Sequence, residues 1–316
     1  MMKITRRPYA GEEDYWRLRH FLRDVFMLND RREHSWHVAR LDYWRWHFIL
    51  NCHVCESIEK ATTLWETGDG TIAAMLNPIG SGEIRMHVHP LIRTPELEDD
   101  MLACAEQHHA NPNDDGKRRL YLPVDSDDQL RQAVLLQRGF VKLTGTSNKW
   151  RRDLESPVPE PHAAPGYTIR SMGDLDEHPA RSWASWRAFH ADEPDGHYDG
   201  DWSWVRNVQT APLYRRDLDI VAVTPRRDVA AFATIYYDDS TRSAVCVLVG
   251  TAAEHQRRGL ARAVLLEGFK RLQWMGCTRV FATGYEPPAD ALYRSVMHRC
   301  DVWETWTKES QIVSSP

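Results

Sequence analysis

A turn in the second half of the chain has the residue types that hold a phosphate group. An apolar run over 244–249 predicts a buried strand, and a helical pattern follows over 257–275. The first N–H groups of a helix have no partners within the helix, and the helix dipole is positive there. Gly259 lets phosphate oxygens approach the backbone closely. Arg257, Arg258 and Arg262 are unfavourable at a helix start unless an anion binds there, so the turn predicts a pyrophosphate site.

The elements that position this turn belong to the second of two similar halves. Four prolines between 157 and 165 predict a stiff linker. The predicted domains are residues 1–152 and 167–316, with the linker at 153–166. Each half has the same predicted order of strands and helices, including helices over 175–189 and 198–210 in the second half. This order predicts an α/β protein with two tandem domains.

Residues 256–261 resemble the acetyl-CoA signature of the GCN5-related N-acetyltransferases (GNATs), Gln/Arg-x-x-Gly-x-Gly/Ala. Gln256, Gly259 and Ala261 occupy its three defining positions. A Rossmann fingerprint or a P-loop would need other glycine or lysine positions. The resemblance implies acetyl-CoA as co-substrate and two GNAT-like domains in tandem, each a twisted mixed β-sheet flanked by helices. Tandem acetyltransferases such as mycothiol synthase have a similar layout.

The resemblance also implies which residues contact the cofactor. They are the end of the buried strand and the turn after it: Leu248, Val249, Gln256, Arg257, Arg258, Gly259, Leu260, Ala261 and Arg262. Backbone N–H from Leu248 or Val249 would polarise the thioester carbonyl, where charge develops during acyl transfer.

A second GNAT motif, Asn-x-x-Ala-x-x-Leu-Tyr, is matched in part. Ala289, Leu292 and Tyr293 fit the motif, while Glu286 stands at its Asn, and the usual Gly-Phe after the Tyr is absent. The resemblance implies that Tyr293 protonates the leaving thiolate. The alternative is a core tyrosine on an apolar helix face.

A base is needed because a lysine-like amine, with a pKa near ~10.4, must lose a proton before it attacks. The buried strand holds no carboxylate, so several acidic residues remain candidates for the base. Glu286 is the candidate that forms the predicted catalytic pair with Tyr293. The carboxylates left open as bases are Asp238, Asp239, Glu286, Asp192, Glu193 and Asp195.

The segment 190–202 has five carboxylates and several aromatic residues. In GNAT proteins the segment between the first two helices commonly borders the acceptor. Asp192, Glu193 and Asp195 are therefore candidates for holding a cationic amine. A solvated polar loop is the alternative.

The first half is a changed copy of the second. Residues 93–98 fall opposite 256–261, with Glu96 in place of the glycine and Glu98 in place of the alanine. Carboxylates repel a pyrophosphate, and Pro95 has no N–H to offer. Leu135 takes the place of the tyrosine. The first half is therefore predicted to be a degenerate domain that does not bind CoA.

Composition excludes several other classes. Forty basic against 45 acidic residues give a formal charge of −5, unlike a basic nucleic-acid binder. No apolar run reaches the ~18 residues of a membrane helix, and six cysteines are too few for a disulfide scaffold. Cys52 and Cys55 form a single Cys-x-x-Cys, too little for a structural zinc site. We expect a cytoplasmic protein with no metal, no nucleic-acid partner and no membrane partner.

The sequence thus predicts an acyltransferase with an active C-terminal domain. It would move an acetyl group from acetyl-CoA to a primary amine of a small molecule or peptide, by direct attack in a ternary complex. The alternatives are a non-catalytic acyl-CoA-binding or regulatory protein and a transferase for a longer acyl donor. A homodimer is left open.

Overall fold

The computed structural model describes residues 3–80, 82–112 and 117–311. The chain forms two compact units. The first unit comprises residues 1–148 and 301–316, and the second comprises 149–300. Residues after 300, which the sequence pattern assigned to the second domain, therefore fall in the first unit.

The strands and helices of the described residues are numbered in chain order. The strands are β1 Ile4–Pro8, β2 Thr63–Thr67, β3 Ile72–Gly80, β4 Glu83–Val88, β5 Asn111–Pro112, β6 Lys117–Asp125, β7 Val141–Asp153, β8 Thr168–Ser171, β9 Asp219–Val223, β10 Val229–Asp238, β11 Ser243–Thr251, β12 Arg279–Gly284 and β13 Arg299–Gln311. The helices are α1 Glu12–Leu28, α2 Val38–Tyr43, α3 Ile58–Ala61, α4 Pro95–His108, α5 Gln129–Gln137, α6 His178–Phe189, α7 Ser203–Gln209, α8 Leu260–Trp274 and α9 Pro287–Val296. A π-helix lies at Trp44–Ile49, and three-residue 3₁₀ turns lie at Leu175–Glu177, Asp195–His197, Arg216–Leu218 and Ala253–His255.

The first unit contains a mixed sheet in the strand order β1-β2-β3-β4-β6-β13. Its neighbouring strands are antiparallel except β4 and β6, which run parallel and share only the pair Glu83 and Tyr121. Helices α4 and α5 pack on one face of this sheet through residues such as Met101 and Leu135, which are fully buried.

The second unit contains a mixed sheet in the strand order β8-β9-β10-β11-β12. Strands β8 to β11 are antiparallel, and β12 runs parallel to β11. The pairing of β11 with β12 ends at Val245 and Phe281, whereas β11 stays paired with β10 as far as Thr251. The carboxyl-terminal half of β11 therefore has an edge that β12 does not cover, and the two parallel strands diverge there.

Helices cover both faces of this sheet. Helices α8 and α9 pack on one face through Val264, Phe269 and Val296, and α6 and α7 pack on the other through Ala184 and Val205. Mixed sheets flanked by helices confirm the predicted α/β class. No helix among the described residues combines the length and the apolar character needed to cross a membrane.

Two predicted helix starts were wrong, and the backbone explains both. Helix α8 begins at Leu260 rather than 257, because Arg257 and Gly259 have left-handed φ values of 61° and 74°. Helix α7 begins at Ser203 rather than 198, because the Asp199 and Asp201 side chains accept backbone N–H groups and hold a turn.

Gly250 is required by packing, which gives a stability prediction. A Cβ there would lie 2.4 Å from Phe232 Cζ and 2.9 Å from Ala188 Cβ. We expect Gly250→Ala to destabilise the protein by ~2 kcal/mol and to lower its Tm by about 5 °C in thermal unfolding. Gly196→Ala is the matched control, because a Cβ at Gly196 meets nothing within 4 Å. Equal Tm values for the two variants would contradict this packing argument.

Candidate functional site

The uncovered edge of β11 presents the backbone of Val249. The ladder between β10 and β11 shifts by one residue at Val247, which forms a bulge. Beyond the bulge, Ala252 N–H donates to Ala230 C=O at 2.9 Å. Directly opposite residues of an antiparallel pair alternate between bonded and non-bonded. Leu248 therefore bonds to β10, and the N–H of Val249 points away from β10 toward the divergence.

The turn between β11 and α8 leaves the helix start open. No side chain of the described residues caps α8. The N–H groups of Leu260, Ala261 and Arg262 therefore lack intrahelical partners. A Cβ at Gly259 would meet no atom within 4 Å. The left-handed φ of Arg257, a strained conformation for a residue with a side chain, turns the backbone here. This arrangement is suited to an anion.

The three arginines of this turn differ in their contacts. Arg258 Nη1 donates to the Tyr167 hydroxyl at 3.0 Å, and its Nη2 donates to the Glu254 carbonyl at 3.3 Å. The same hydroxyl lies 2.9 Å from His255 Nδ1. Arg258 therefore holds the shape of the turn. Arg257 and Arg262 make no hydrogen bond or ion pair with other described residues, so their charges are available to a ligand.

Three predicted cofactor residues differ in their burial. Gln256 is exposed, and its Nε2 lies 3.4 Å from the Thr251 carbonyl. Val249 is half-buried against the core beneath α8, whereas Leu248 faces the core beneath α6. The two strand residues thus place their side chains on opposite faces of the sheet.

Tyr293 lies in α9 and enters the core shared with α8. It is 7% exposed and belongs to the same apolar cluster as Val296. Trp150 Nε1 donates to Asp290 Oδ1 at 2.8 Å and holds the helix in place. A Cβ at Gly284 would lie 3.0 Å from the Asp290 Cα, so α9 starts close against the end of β12. A substitution that tests the Tyr293 hydroxyl must therefore keep the aromatic ring, which packs in the core.

Glu286 lies just before α9. It is exposed and stands one residue before Pro287, the first residue of the helix. Seven positions separate it from Tyr293, which is about 10 Å along a helix axis. The carboxylate and the hydroxyl would therefore act on different atoms of a bound substrate pair.

Asp238 and Asp239 lie at the wrong end of the strand to act as a base. Asp238 is buried and accepts hydrogen bonds from the Thr241 N–H at 3.2 Å and the Thr241 hydroxyl at 2.7 Å. It thereby shapes the turn from β10 to β11. Six residues of extended strand, about 20 Å, separate the start of β11 from Val249.

The three acidic residues predicted for acceptor binding are exposed and differ in their partners. Glu193 Oε2 lies 3.3 Å from His197 Nδ1, and Asp195 Oδ1 lies 3.6 Å from Arg187 Nη1. Asp192 makes no hydrogen bond or ion pair with the described residues. Of the three carboxylates, that of Asp192 is the one not already engaged.

Aromatic stacking fastens this acidic segment to α6, which the sequence analysis missed. Trp183 and Trp186 stack with ring centroids 5.5 Å apart, and His190 stacks on Trp186 at 5.6 Å. Tyr198 contacts Trp183 edge-on at 5.2 Å. The three-residue spacing of the two tryptophans is visible in the sequence, but the sequence does not show that His190 and Tyr198 pack against them.

A buried carboxylate also lies beneath α6 and α7. Asp219 is 3% exposed and accepts hydrogen bonds from the hydroxyls of Thr234 at 2.8 Å and Tyr214 at 3.1 Å. Burial raises the pKa of Asp219. Both hydroxyls satisfy the carboxylate inside the core, so Asp219 stabilises the unit and is not exposed to a substrate.

In the first unit, the corresponding helix start is already occupied by the chain's own groups. The Thr94 side chain caps α4 by accepting from the Leu97 N–H at 3.2 Å. Glu98 is fully buried and bonds to Arg93 at 2.6 Å and Arg131 at 2.8 Å. Alignment by helix caps puts Thr94 opposite Gly259, so the predicted equivalence of Glu96 and Gly259 was wrong by two residues.

Potential metal ligands come together at one place in the described residues. His34, Asp125 and Asp127 of the first unit have ligand atoms within 4.8 Å of one another. His34 Nδ1 already lies 3.1 Å from Asp125 Oδ2, and Arg32 Nη2 lies 3.1 Å from Asp127 Oδ2. Contacts among the protein's own side chains thus account for this group. Cys52 and Cys55 belong to no such group among the described residues, and both are free thiols.

Comparison with known proteins identifies the class of the second unit. Residues 178–298 match the sequence model of the acetyltransferase (GNAT) family. This match spans the acidic segment, the turn before α8 and Tyr293. The second unit is therefore a GNAT acetyltransferase domain, and the resemblance predicted from the sequence is confirmed. None of the curated proteins compared with the chain matches its sequence.

Solved structures are similar to the whole chain. A GCN5-related N-acetyltransferase from Sphaerobacter thermophilus has a TM-score of 0.65 and 17% identity, covering 98% of this chain and 97% of that chain. A tandem GNAT protein from the clavulanic acid biosynthesis pathway has a TM-score of 0.66 and 15% identity, covering 99% and 100%. N-myristoyltransferase from Saccharomyces cerevisiae, with bound myristoyl-CoA, has a TM-score of 0.57 and 10% identity, covering 96% and 78%. At these identities the likeness concerns the fold.

These comparisons confirm the predicted fold of two GNAT-like domains in tandem. The family match over residues 178–298 also confirms the predicted enzyme class, an acyltransferase of the GNAT type.

Proposed function

We propose that this protein transfers an acetyl group from acetyl-CoA to a primary amine and that the second unit performs the reaction. The observation that carries this proposal is the open helix start of α8. Its N–H groups and the side chains of Arg257 and Arg262 have no partners among the described residues, and they lie directly after a strand with an uncovered edge.

In the proposed complex, the pyrophosphate of acetyl-CoA binds the N–H groups of Leu260, Ala261 and Arg262. The helix dipole and the two available guanidinium groups add to the attraction. The pantetheine arm contains amides, which can pair with the uncovered edge of β11 as an added strand would. This path brings the thioester carbonyl to the N–H of Val249, rather than to that of Leu248.

The reaction then proceeds by direct attack of the amine on the thioester carbon. The carbonyl oxygen gains negative charge, which the Val249 N–H stabilises. Collapse of this intermediate breaks the C–S bond, and Tyr293 gives its proton to the sulfur. Glu286 takes a proton from the amine through a water molecule. It lies about two helical turns from Tyr293, so the base and the acid act at different places. The products are the amide and CoA.

The acceptor is proposed to be a cationic amine on a small molecule or a peptide. Asp192, Glu193 and Asp195 give the segment after α6 a negative charge, which attracts an ammonium group. The first unit takes no part in CoA binding in this proposal, since Thr94 and Glu98 occupy the helix start that a pyrophosphate would need.

The burial of Tyr293 favours a second candidate, a non-catalytic protein that binds acyl-CoA. A tyrosine that is 7% exposed within an apolar cluster is also what a purely structural residue looks like. A longer acyl donor is the remaining alternative, because a protein of similar fold holds myristoyl-CoA.

Calorimetric titration with acetyl-CoA tests the proposal directly. We expect one site per chain. Two sites would contradict the proposed role of the first unit. No binding at millimolar ligand would overturn the proposed function as a whole.

A further inference from the structure

A histidine and a cysteine of the first unit come together at the end of its π-helix. The hydrogen bonds of a π-helix join residues five apart, so such residues approach each other on one side of it. The Cys52 N–H accordingly donates to the His47 carbonyl at 3.2 Å. The Cys52 Sγ lies 3.6 Å from His47 Nε2. Because Cys52 is exposed, an accessible thiol has an imidazole nitrogen within hydrogen-bonding distance.

Two neighbouring side chains hold the His47 imidazole in this orientation. The Tyr43 ring stacks on it with the ring centroids 4.7 Å apart. The Asn51 Nδ2 lies 3.0 Å from His47 Nδ1 and 3.4 Å from the Trp46 carbonyl. An amide nitrogen can only donate, so His47 Nδ1 accepts and Nε2 carries the ring proton. The Nε2–H therefore donates to the Cys52 sulfur, which favours the thiolate.

A second thiol, that of Cys55, lies in the same loop. Two residues separate the cysteines, and the loop 50–57 contains neither helix nor strand. His53, between them, has a left-handed φ of 51°, which turns the chain. Three residue steps span at most about 11 Å when extended, and a disulfide needs a Cα separation of about 4.4–6.8 Å. A turned loop of this length can therefore close on a disulfide between Cys52 and Cys55.

The two thiols have different surroundings. Partial burial raises the pKa of both, and it raises the pKa of Cys55 to about 11. The Cys55 Sγ donates to the Ser57 carbonyl at 3.9 Å, a contact that keeps the proton on the sulfur. The Cys52 Sγ instead faces a donor, the His47 Nε2–H. Cys52 is thus the thiol that attacks first, and Cys55 is the one that reacts second.

We propose that Cys52 and Cys55 form a thiol–disulfide exchange site whose substrate is the disulfide of a small-molecule thiol. The Cys52 thiolate attacks one sulfur of that disulfide, an S–S bond to the protein forms, and one small thiolate leaves. The Cys55 thiolate then attacks the Cys52 sulfur, and the second small thiolate leaves. The protein loses two electrons and two protons, which the small disulfide takes up as it becomes two thiols. This proposal does not rest on the proposed acetyl transfer.

Incubation of the reduced full chain with oxidised glutathione, followed by mass spectrometry of its peptides, tests the exchange. In the wild-type protein we expect a disulfide between Cys52 and Cys55, which dithiothreitol reduces. In Cys55→Ser we expect the mixed disulfide with glutathione to accumulate at Cys52. In Cys52→Ser we expect Cys55 to stay reduced over the same period. An unmodified Cys52 or a lasting mixed disulfide in the wild-type protein would overturn the proposal, as would a rapid reaction of Cys55 in Cys52→Ser.

His47→Gln tests whether the imidazole activates Cys52. If the lost hydrogen bond raises the thiol pKa by about one unit, the thiolate fraction falls about tenfold near neutral pH, while its nucleophilicity rises about threefold. We therefore expect the modification of Cys52 to slow about threefold. Thermal unfolding checks that the variant keeps its fold.

His53→Asn is the matched control for this variant. His53 is exposed and makes no hydrogen bond or ion pair with the other described residues. Asparagine tolerates the left-handed φ of this position, so the loop keeps its turn. Cys52 should therefore react in His53→Asn at the wild-type rate. Equal rates in His47→Gln and the wild-type protein, or equal slowing in the two histidine variants, would show that His47 does not activate the thiol.

Discussion

Gly259→Glu is expected to abolish detectable binding of acetyl-CoA. The added Cβ meets no atom within 4 Å, so a residue larger than glycine causes no clash at its Cβ. The carboxylate, however, would stand at the open start of α8, where the pyrophosphate is proposed to bind, and two negative groups there repel each other. Calorimetric titration of the variant measures the loss, and its thermal unfolding checks that the fold is kept.

Gly259→Ala separates charge from backbone strain. Both variants force a residue with a Cβ into a φ of 74°, which costs roughly 1–2 kcal/mol. The alanine adds no charge, so we expect its acetyl-CoA binding to weaken by no more than about tenfold. If the glutamate variant bound as tightly as the alanine variant, the anion site would lie elsewhere.

Tyr293→Phe is expected to lower turnover by about 10- to 100-fold while leaving the Kd for acetyl-CoA unchanged. The ring that packs in the core is retained, and only the hydroxyl that would protonate the thiolate is lost. Turnover is measured with the amine found by screening, and the Kd by calorimetry. A non-catalytic protein would show no turnover in either form.

Tyr237→Phe provides the matched control for this experiment. Tyr237 is also 7% exposed and belongs to the same apolar cluster as Tyr293. Its hydroxyl donates to the Met275 carbonyl at 3.3 Å, so its loss should cost about 1 kcal/mol of stability and no turnover. Equal turnover of the two variants would indicate that the Tyr293 hydroxyl has no chemical role.

Much of the fold was predictable because the signals are local. An unbroken apolar run predicted a strand over 244–249, and the strand is Ser243–Thr251. Gly276 predicted the end of α8, and the helix ends at Trp274 with Gly276 at a left-handed φ of 79°. Such patterns depend on side-chain burial and backbone preference within a few residues.

The candidate site was predictable only in outline. The spacing of Gln256, Gly259 and Ala261 indicated the anion site, but three neighbouring arginines were treated alike. Arg258 proved to be engaged by Tyr167, which lies 91 residues earlier in the chain. No local pattern predicts such a contact, because it depends on the position of β8 beside the start of α8.

By itself, the amino-acid sequence determined the α/β class, the buried strands and the glycine turn before α8, since burial periodicity and φ preferences act over short stretches of chain. Only the tertiary structure decided that the Val249 N–H points to the uncovered edge, that Thr94 and Glu98 occupy the helix start of the first unit, and that Tyr167 engages Arg258. These features arise where residues far apart in sequence meet, and their pairing is decided by which buried charges and backbone groups find partners in the folded chain.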